Sequence, residues 1–376
     1  MNKIRSIFLL LLFITVGFIH VYPDLRFICE SGDSFNGISF IGTADENVYL
    51  SRIAGVVYRK DLRLANAGVY GHQNDPIFQP SLAEVTEGLI GRGLGLEVWQ
   101  IDILATFFLP TLLCFIIYLL VNSLSGSPKT AALASLAVTL GYYWITPNLK
   151  AIFGFIPGYL SQGLFFTRPI SPQFHFIPFI FALYLIHKVN SKKSNILILT
   201  SGIITGLLFY TSVYYWTFIY AGLFILVLIS IIRKNLGQAI KYLLVYLISF
   251  IVAVPYLLSA VALNKLLYFS EIFRRGGGIY THQPILPVLE IIFLVFLIIM
   301  RFFVRDKKED LYFMISFVAG GLICLNQQVI TGKTVEPMHW QSYTDKIFII
   351  ICFFACSSFI SKRIKLSGLN RLFYPV

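Results

Sequence analysis

The sequence predicts an all-α polytopic membrane protein, and three observations point to it. Hydrophobic residues make up 57% of the 376 positions and charged residues 13%, where soluble domains carry roughly 25% charged residues. Mean hydropathy is +0.77, and apolar runs of about 20 residues, enough to cross roughly 30 Å of hydrocarbon, recur along the whole chain. Basic residues concentrate in alternate short connections, as they do on the cytoplasmic side of membrane proteins. That bias accounts for the net charge of +12, so no nucleic-acid partner is expected.

About ten transmembrane helices are expected, at about 6–22, 102–122, 130–147, 173–189, 195–211, 214–232, 239–263, 285–304, 311–326 and 344–360, in a single domain over 1–376. The first follows Lys3 and Arg5 and leaves as "FIHVYPDLRF". No small-x-small cleavage site follows, so it reads as a retained anchor rather than a signal peptide. Trp99 and then Asp102 mark the entry to the second, and "NSLSGSPKT" is a short turn before the third. Pro255 marks a kink in the seventh, and Glu290 is an acid inside the apolar eighth. "RDKKED" is the turn before the ninth. Tyr142, Tyr143, Trp144, Tyr214, Tyr215 and Trp216 fall at span ends, where interfacial aromatic belts account for them. Cys114, Cys324, Cys352 and Cys356 lie in spans and Cys29 outside, with no CxxC spacing, so neither a disulfide framework nor a thiolate metal site is expected.

With the N-terminus inside, the cytoplasmic side collects Lys3, Arg5, Lys129, Lys188, Lys192, Lys193, Arg233, Lys234, Lys241, Arg301, Arg305, Lys307, Lys308, Lys362, Arg363, Lys365 and Arg371, against Asp306, Glu309 and Asp310. Both termini are therefore expected in the cytoplasm. Short loops and the lack of organelle signals point to a bacterial inner membrane. The other side carries the long connections: residues 22–100 in the first extracytoplasmic loop, then about 148–172, 264–284 and 327–343. A pore has no need of that asymmetry; a site assembled from loops on one face does.

The first loop has structure of its own. "TADENVYLSRIAGVVYRKD" places Tyr49, Ile53, Val56 and Val57 on one helical face, with Arg52, Arg59 and Lys60 elsewhere. "PSLAEVTEGLIGRGLGL" opens with Ser81 and Glu84 spaced as a capping box. Amphipathic helices of this kind lie along a membrane surface. Between them "AGVYGHQNDPIFQP" is turn-rich and carries His72 and Asp75. Thr43-x-x-Glu46 also has capping-box spacing. With Glu46 filling that role, Asp45 is a second acid that capping does not require, which makes it the candidate for chemistry.

Asp45-Glu46-x-x-Tyr49, in a long first outside loop just ahead of a surface helix, resembles the GT-C superfamily of integral-membrane glycosyltransferases, which includes protein O-mannosyltransferases, oligosaccharyltransferases and the enzyme that adds aminoarabinose to lipid A. The topology resembles the family over nearly the whole chain, the residue pattern over about 43–60. "FTRPISPQF" (166–174) and "NQQVITGKTVEPMHW" (326–340) are similar to stretches in bacterial relatives. The resemblance implies a polyprenyl-phosphate-linked sugar as donor, an acid of the first loop at the reaction centre, and a lipid, glycan or protein acceptor. Many relatives carry a C-terminal soluble domain; this sequence ends soon after its last expected span, which points away from peptide acceptors.

Such a transfer needs a base for the acceptor hydroxyl, cations for the departing phosphate and an apolar groove for the prenyl tail. Asp45 is the expected base, with general-base help worth roughly 10²–10⁴-fold, and Glu46 its partner or only a cap. Arg168, in a proline-framed stretch, is the first phosphate candidate, because a guanidinium fork matches phosphate oxygens. Arg274 and Arg275, ahead of Gly276–Gly278, and Lys333 and His339 are the others. Tyr49, His72, Gln173, Gln328, Glu336 and Trp340 are expected around the substrate. A Mg²⁺ or Mn²⁺ ion shared by Asp45 and Glu46 with Asp75 or Asp102 is the cofactor alternative; adjacent helical residues diverge by about 100°, which argues against an obligatory metal. No GxGxxG or GxxxxGK[ST] loop points to a nucleotide. The competing readings are a transporter or flippase of a lipid-linked sugar, with Glu290 as a coupling group, and a non-catalytic subunit of the same architecture.

Overall fold

The computed structural model describes residues 3–38, 44–62, 64, 75–76, 79–141, 166, 168–191 and 194–366. Thr43, His72, Tyr142, Tyr143, Trp144 and, of the segment expected outside at about 148–172, residues 148–165 and 167 lie beyond the described residues. The chain is nearly all helix: α1 Lys3–Ser31, α2 Ala44–Arg59, α3 Leu82–Leu94, α4 Val98–Ser125, α5 Pro128–Leu140, α6 His175–Ser191, α7 Asn195–Leu207, α8 Val213–Ile232, α9 Leu236–Asn264, α10 Phe269–Arg275, α11 Val288–Phe303, α12 Lys308–Leu325 and α13 Lys346–Leu366. Seven stretches are long and apolar enough to cross a membrane: Ser6–Ser34, Val98–Ser125, Pro169–Asn190, Val213–Ile232, Leu236–Asn264, Lys308–Thr331 and Pro337–Arg363. These meet seven of the ten expected spans. The other three correspond to shorter helices, α5, α7 with its 3₁₀ extension to Tyr210, and α11.

The central layer is aromatic. Phe179, Tyr215, Phe218, Phe313, Phe317 and Phe348 are fully buried, and Phe218 stacks on Phe317 at 5.8 Å. Glycine sets the closest crossings. A Cβ on Gly320 of α12 would stand 2.6 Å from the backbone nitrogen of Gly222 on α8. Gly202 and Gly206 of α7, four apart, face Ile248 and Val252 of α9. Small residues at such spacing let helices approach where lipid supplies no hydrophobic drive. Polar span positions turn inward: His20, Ser135, Thr139, Ser201, Thr205 and Ser249 are buried.

Both expected surface helices of the first loop form. On α2, Ile53 and Val56 are buried and Arg59 and Lys60 exposed, as the pattern requires. Arg52 departs from expectation. It is buried, and its Nη1 donates to Oε1 of the equally buried Glu84 on α3 at 3.0 Å. Glu84 therefore does not close the expected capping box, and the Ser81 side chain makes no cap bond. A long side chain finds its partner across the α2–α3 contact, where Gly88 packs against Val56, and intra-loop spacing does not reveal that pairing. The outside segments expected at 264–284 and 327–343 also join: β1 Gly278–Tyr280 pairs antiparallel with β2 Lys333–Val335, Ile279 opposite Thr334.

Candidate functional site

Asp45 and Glu46 occupy the first turn of α2, where free backbone N–H groups favour negative charge. Arg168 is the extended residue before the π-helical turn Pro169–Phe174 that leads into α6. Proline at the next position biases Arg168 towards that conformation. Ile170 of the turn is buried with Ile53 of α2, Ala83 of α3 and Ile101 of α4, and Gln173 is buried with its amide donating to the carbonyl of Phe166. This packing lays Arg168 against α2.

One guanidinium meets both acids. Arg168 Nη2 donates to Asp45 Oδ2 at 3.3 Å, and its Nε stands 3.1 Å from Glu46 Oε1 in ion-pair contact. The surroundings of the two acids differ. The Asp45 side chain is 70% exposed and that of Glu46 15%, with Arg168 at 21%. Glu46 is thus the half-buried counter-ion that fixes Arg168, and Asp45 the accessible carboxylate beside it. The Tyr49 ring lies 6.0 Å from the guanidinium carbon. Burial, opposed by Arg168 and reinforced by Asp45, pushes the Tyr49 phenol up to about 12, so it stays a hydroxyl donor at neutral pH.

A second group faces this one. His339 Nδ1 is 2.5 Å from Glu336 Oε2 and 3.1 Å from the Tyr214 hydroxyl, and its ring stacks on Tyr343 at 4.8 Å. Glu336 has a left-handed backbone, φ 36°, an uncommon state for a non-glycine residue that tends to persist where surrounding structure enforces it. Here the strand pairing does so, with Glu336 N–H donating to the carbonyl of Gly277. The charges of Asp45 and Arg168 are near enough to act on both His339 and Tyr343.

The other expected site residues separate from this cluster. Arg274 and Arg275 are exposed and both bind Glu271 of their own helix, at 2.6 and 2.9 Å. Lys333 is an exposed strand residue opposite Tyr280. Gln328 is buried and donates to the carbonyl of Gln283 at 3.1 Å; Trp340 alone of these stays with the cluster, its ring edge-on to Tyr214 at 4.8 Å and its Nε1 donating to Thr217 Oγ1 at 2.9 Å. Tyr214, assigned from sequence to an interfacial belt, belongs to the site, and Tyr343 was not singled out at all. Its signal was the spacing from His339, since residues four apart on a helix stack. An open groove lined by Phe35, Asn36, Tyr58, Glu97 and Trp99 lies at the other end of α2, beside the start of α4.

Among the described residues no group of three or more His, Cys, Asp and Glu side chains is arranged to hold a metal ion. The cation between Asp45 and Glu46 is Arg168. What the arrangement offers chemically is an exposed base, a guanidinium with a fixed orientation, an imidazole backed by a carboxylate, and tyrosine hydroxyls. No protein-family model matches the chain and no curated protein matches it.

Proposed function

We propose that this integral membrane protein is a glycosyltransferase of the GT-C kind, moving a sugar from a polyprenyl-phosphate donor to a hydroxyl acceptor on the extracytoplasmic face. The observation that carries the reading is the division of labour around Arg168: Glu46 holds it while Asp45 stays accessible beside it. Asp45 takes the acceptor proton as the hydroxyl attacks the anomeric carbon. The donor phosphate leaves with the bonding pair and takes over the Nη2 edge of Arg168 that Asp45 now contacts. Tyr49 and His339 donate to the same oxygens. Inversion at the anomeric carbon follows from a single displacement.

The test is transfer from a polyprenyl-phosphate sugar by the protein reconstituted in liposomes. Asp45→Asn preserves shape and removes the base, and activity falls by roughly 10²–10⁴-fold. Transfer undiminished in Asp45→Asn overturns the assignment.

A specific observation favours a second reading, a transporter of a lipid-linked sugar. Glu290 of α11 and Asp345 at the head of α13 are both buried, both act on Lys346, and neither Asp345 oxygen has a hydrogen-bond partner among the described residues. Ionisable groups at membrane depth mark ion pathways by default. Movement of the lipid-linked sugar across liposome membranes without any transfer supports this reading instead.

A further inference from the structure

A Ser-His-Asp relay lies at the far end of the bundle from Asp45. Ser123 Oγ near the end of α4 is 2.8 Å from His187 Nδ1 in the last turns of α6, and His187 Nε2 is 2.8 Å from Asp310 Oδ1 in the first turn of α12. His187 is 4% exposed, whereas Ser123 and Asp310 are half-buried. Lys307 Nζ holds the other Asp310 oxygen at 3.1 Å, and the Phe313 ring meets the imidazole edge-to-face at 5.1 Å. The carboxylate and its lysine fix the imidazole so that N–H points to Asp310 and the lone pair to Ser123. A nucleophile in hydrogen-bond reach of a base that a third group orients is the general signature of nucleophilic catalysis, whatever the fold or chain order. The helix that follows the Arg168 turn, α6, runs from His175 and carries His187 roughly 18 Å from its start at 1.5 Å per residue, so this centre is separate from the transferase site.

We infer that Ser123, His187 and Asp310 form a second catalytic centre, a serine nucleophile acting on carboxylic esters or thioesters of acyl chains at the inner membrane face. The residues lie near the ends of three helices long and apolar enough to cross a membrane, where the ester groups of lipids would meet the hydrocarbon boundary. Lys362, bonded to the Ser125 carbonyl at 2.8 Å, and Lys307 supply positive charge for an anionic headgroup. In the reaction, Ser123 Oγ passes its proton to His187 and attacks the ester carbonyl carbon. The carbonyl–oxygen (or carbonyl–sulfur) bond breaks, and the leaving alcohol or thiol takes the proton from His187. Water, deprotonated by the same imidazole, then attacks the acyl-serine, releasing a carboxylic acid and restoring the Ser123 hydroxyl.

The test uses the full-length protein in detergent with a fluorophosphonate probe and peptide mass mapping. The expected result is a stoichiometric adduct on Ser123, absent in Ser123→Ala. Asp310→Asn, which keeps size and hydrogen bonding but reverses the imidazole orientation, and His187→Gln each slow labelling by roughly 10²–10⁴-fold. Hydrolysis of a p-nitrophenyl acyl ester falls in parallel. If wild-type protein gives no Ser123 adduct where an ordinary serine hydrolase is fully labelled, the three residues are a tie between helices only and the inference fails. Labelling at an unchanged rate in folded Asp310→Asn overturns it equally. Neither outcome bears on transfer at Asp45.

Discussion

Arg168 Nε stands 3.1 Å from the half-buried carboxylate of Glu46, while its Nη2 reaches the exposed Asp45. Two adjacent acids therefore have separable roles, and their variants should fail differently. Glu46→Gln leaves the base intact and loosens the guanidinium, so KM for the polyprenyl-phosphate donor rises about tenfold, the size of one charged hydrogen bond. Asp45→Asn lowers kcat with little change in KM. Steady-state transfer with varied donor separates the two; matching losses in both parameters would remove the distinction.

The Arg52–Glu84 pair bridges α2 and α3 in the interior. Removing one partner strands the other, a cost of about 3–5 kcal/mol for a buried pair. Arg52→Met is expected to lower Tm sharply, whereas Arg52→Met with Glu84→Met recovers most of the loss because no charge remains buried. Thermal unfolding of the single and double variants in one detergent checks this. A double variant no better than the single would mean that Arg52 acts by packing alone.

What could be read from the sequence, and what could not, follows the same physics. Apolar runs and the face of Ile53 and Val56 are local, periodic signals, and they located the seven long apolar helices and the two helices of the first loop. Asp45 stood out as an acid that capping does not require, and Arg168 as a guanidinium in a proline-framed stretch just before a span. The Arg52–Glu84 pair, the turn of Arg274 and Arg275 towards Glu271, and the recruitment of Tyr214 depend on contacts between distant or alternative partners, which spacing does not determine. Glu84 shows the limit well: its capping-box spacing was real, but a buried arginine across the helix interface outcompeted a backbone N–H.

Glu87, one turn beyond Glu84, makes stability depend on pH. Both its oxygens are buried without a hydrogen-bond partner among the described residues. Burial first, then the charges of Asp102 and Glu84, holds its carboxyl well above the usual range. The folded state thus favours the protonated form. Its contribution is full below the ordinary carboxylate value and is lost as pH rises through the raised one. As pH rises above the ordinary carboxylate range wild-type Tm should fall, and Glu87→Gln should flatten that slope and raise Tm at the alkaline end. A Tm series in matched buffers measures it; equal slopes in both proteins would reject Glu87 as the source.

Cys29 reports orientation. It is exposed, while Cys114, Cys324, Cys352 and Cys356 are buried. In the proposed topology a membrane-impermeant maleimide added to intact cells labels Cys29 alone, and Cys29→Ser removes the signal. Labelling that requires cell lysis would place the α1 end, and with it α2, on the cytoplasmic side and end the extracytoplasmic reading of Asp45.

The α8–α12 crossing couples the fold to the site. Gly320 has space for no side chain, since its Cβ would meet the Gly222 backbone nitrogen at 2.6 Å, and a backbone cannot yield as a flexible side chain does. Gly320→Ala must separate the helices, at about 1–3 kcal/mol for an overpacked interior. Helix α8 begins next to Tyr214, and α12 leads through the β2 strand to His339, so separation also stretches the 3.1 Å contact between them. Gly320→Ala should lower both Tm and transfer. Gly93 of α3, with open space around its Cβ position, is the control: Gly93→Ala adds helix propensity worth up to about 1 kcal/mol and leaves transfer unchanged. If Gly320→Ala is as stable and active as Gly93→Ala, the two helices are not in backbone contact, and Tyr214 is not held against His339 by that crossing.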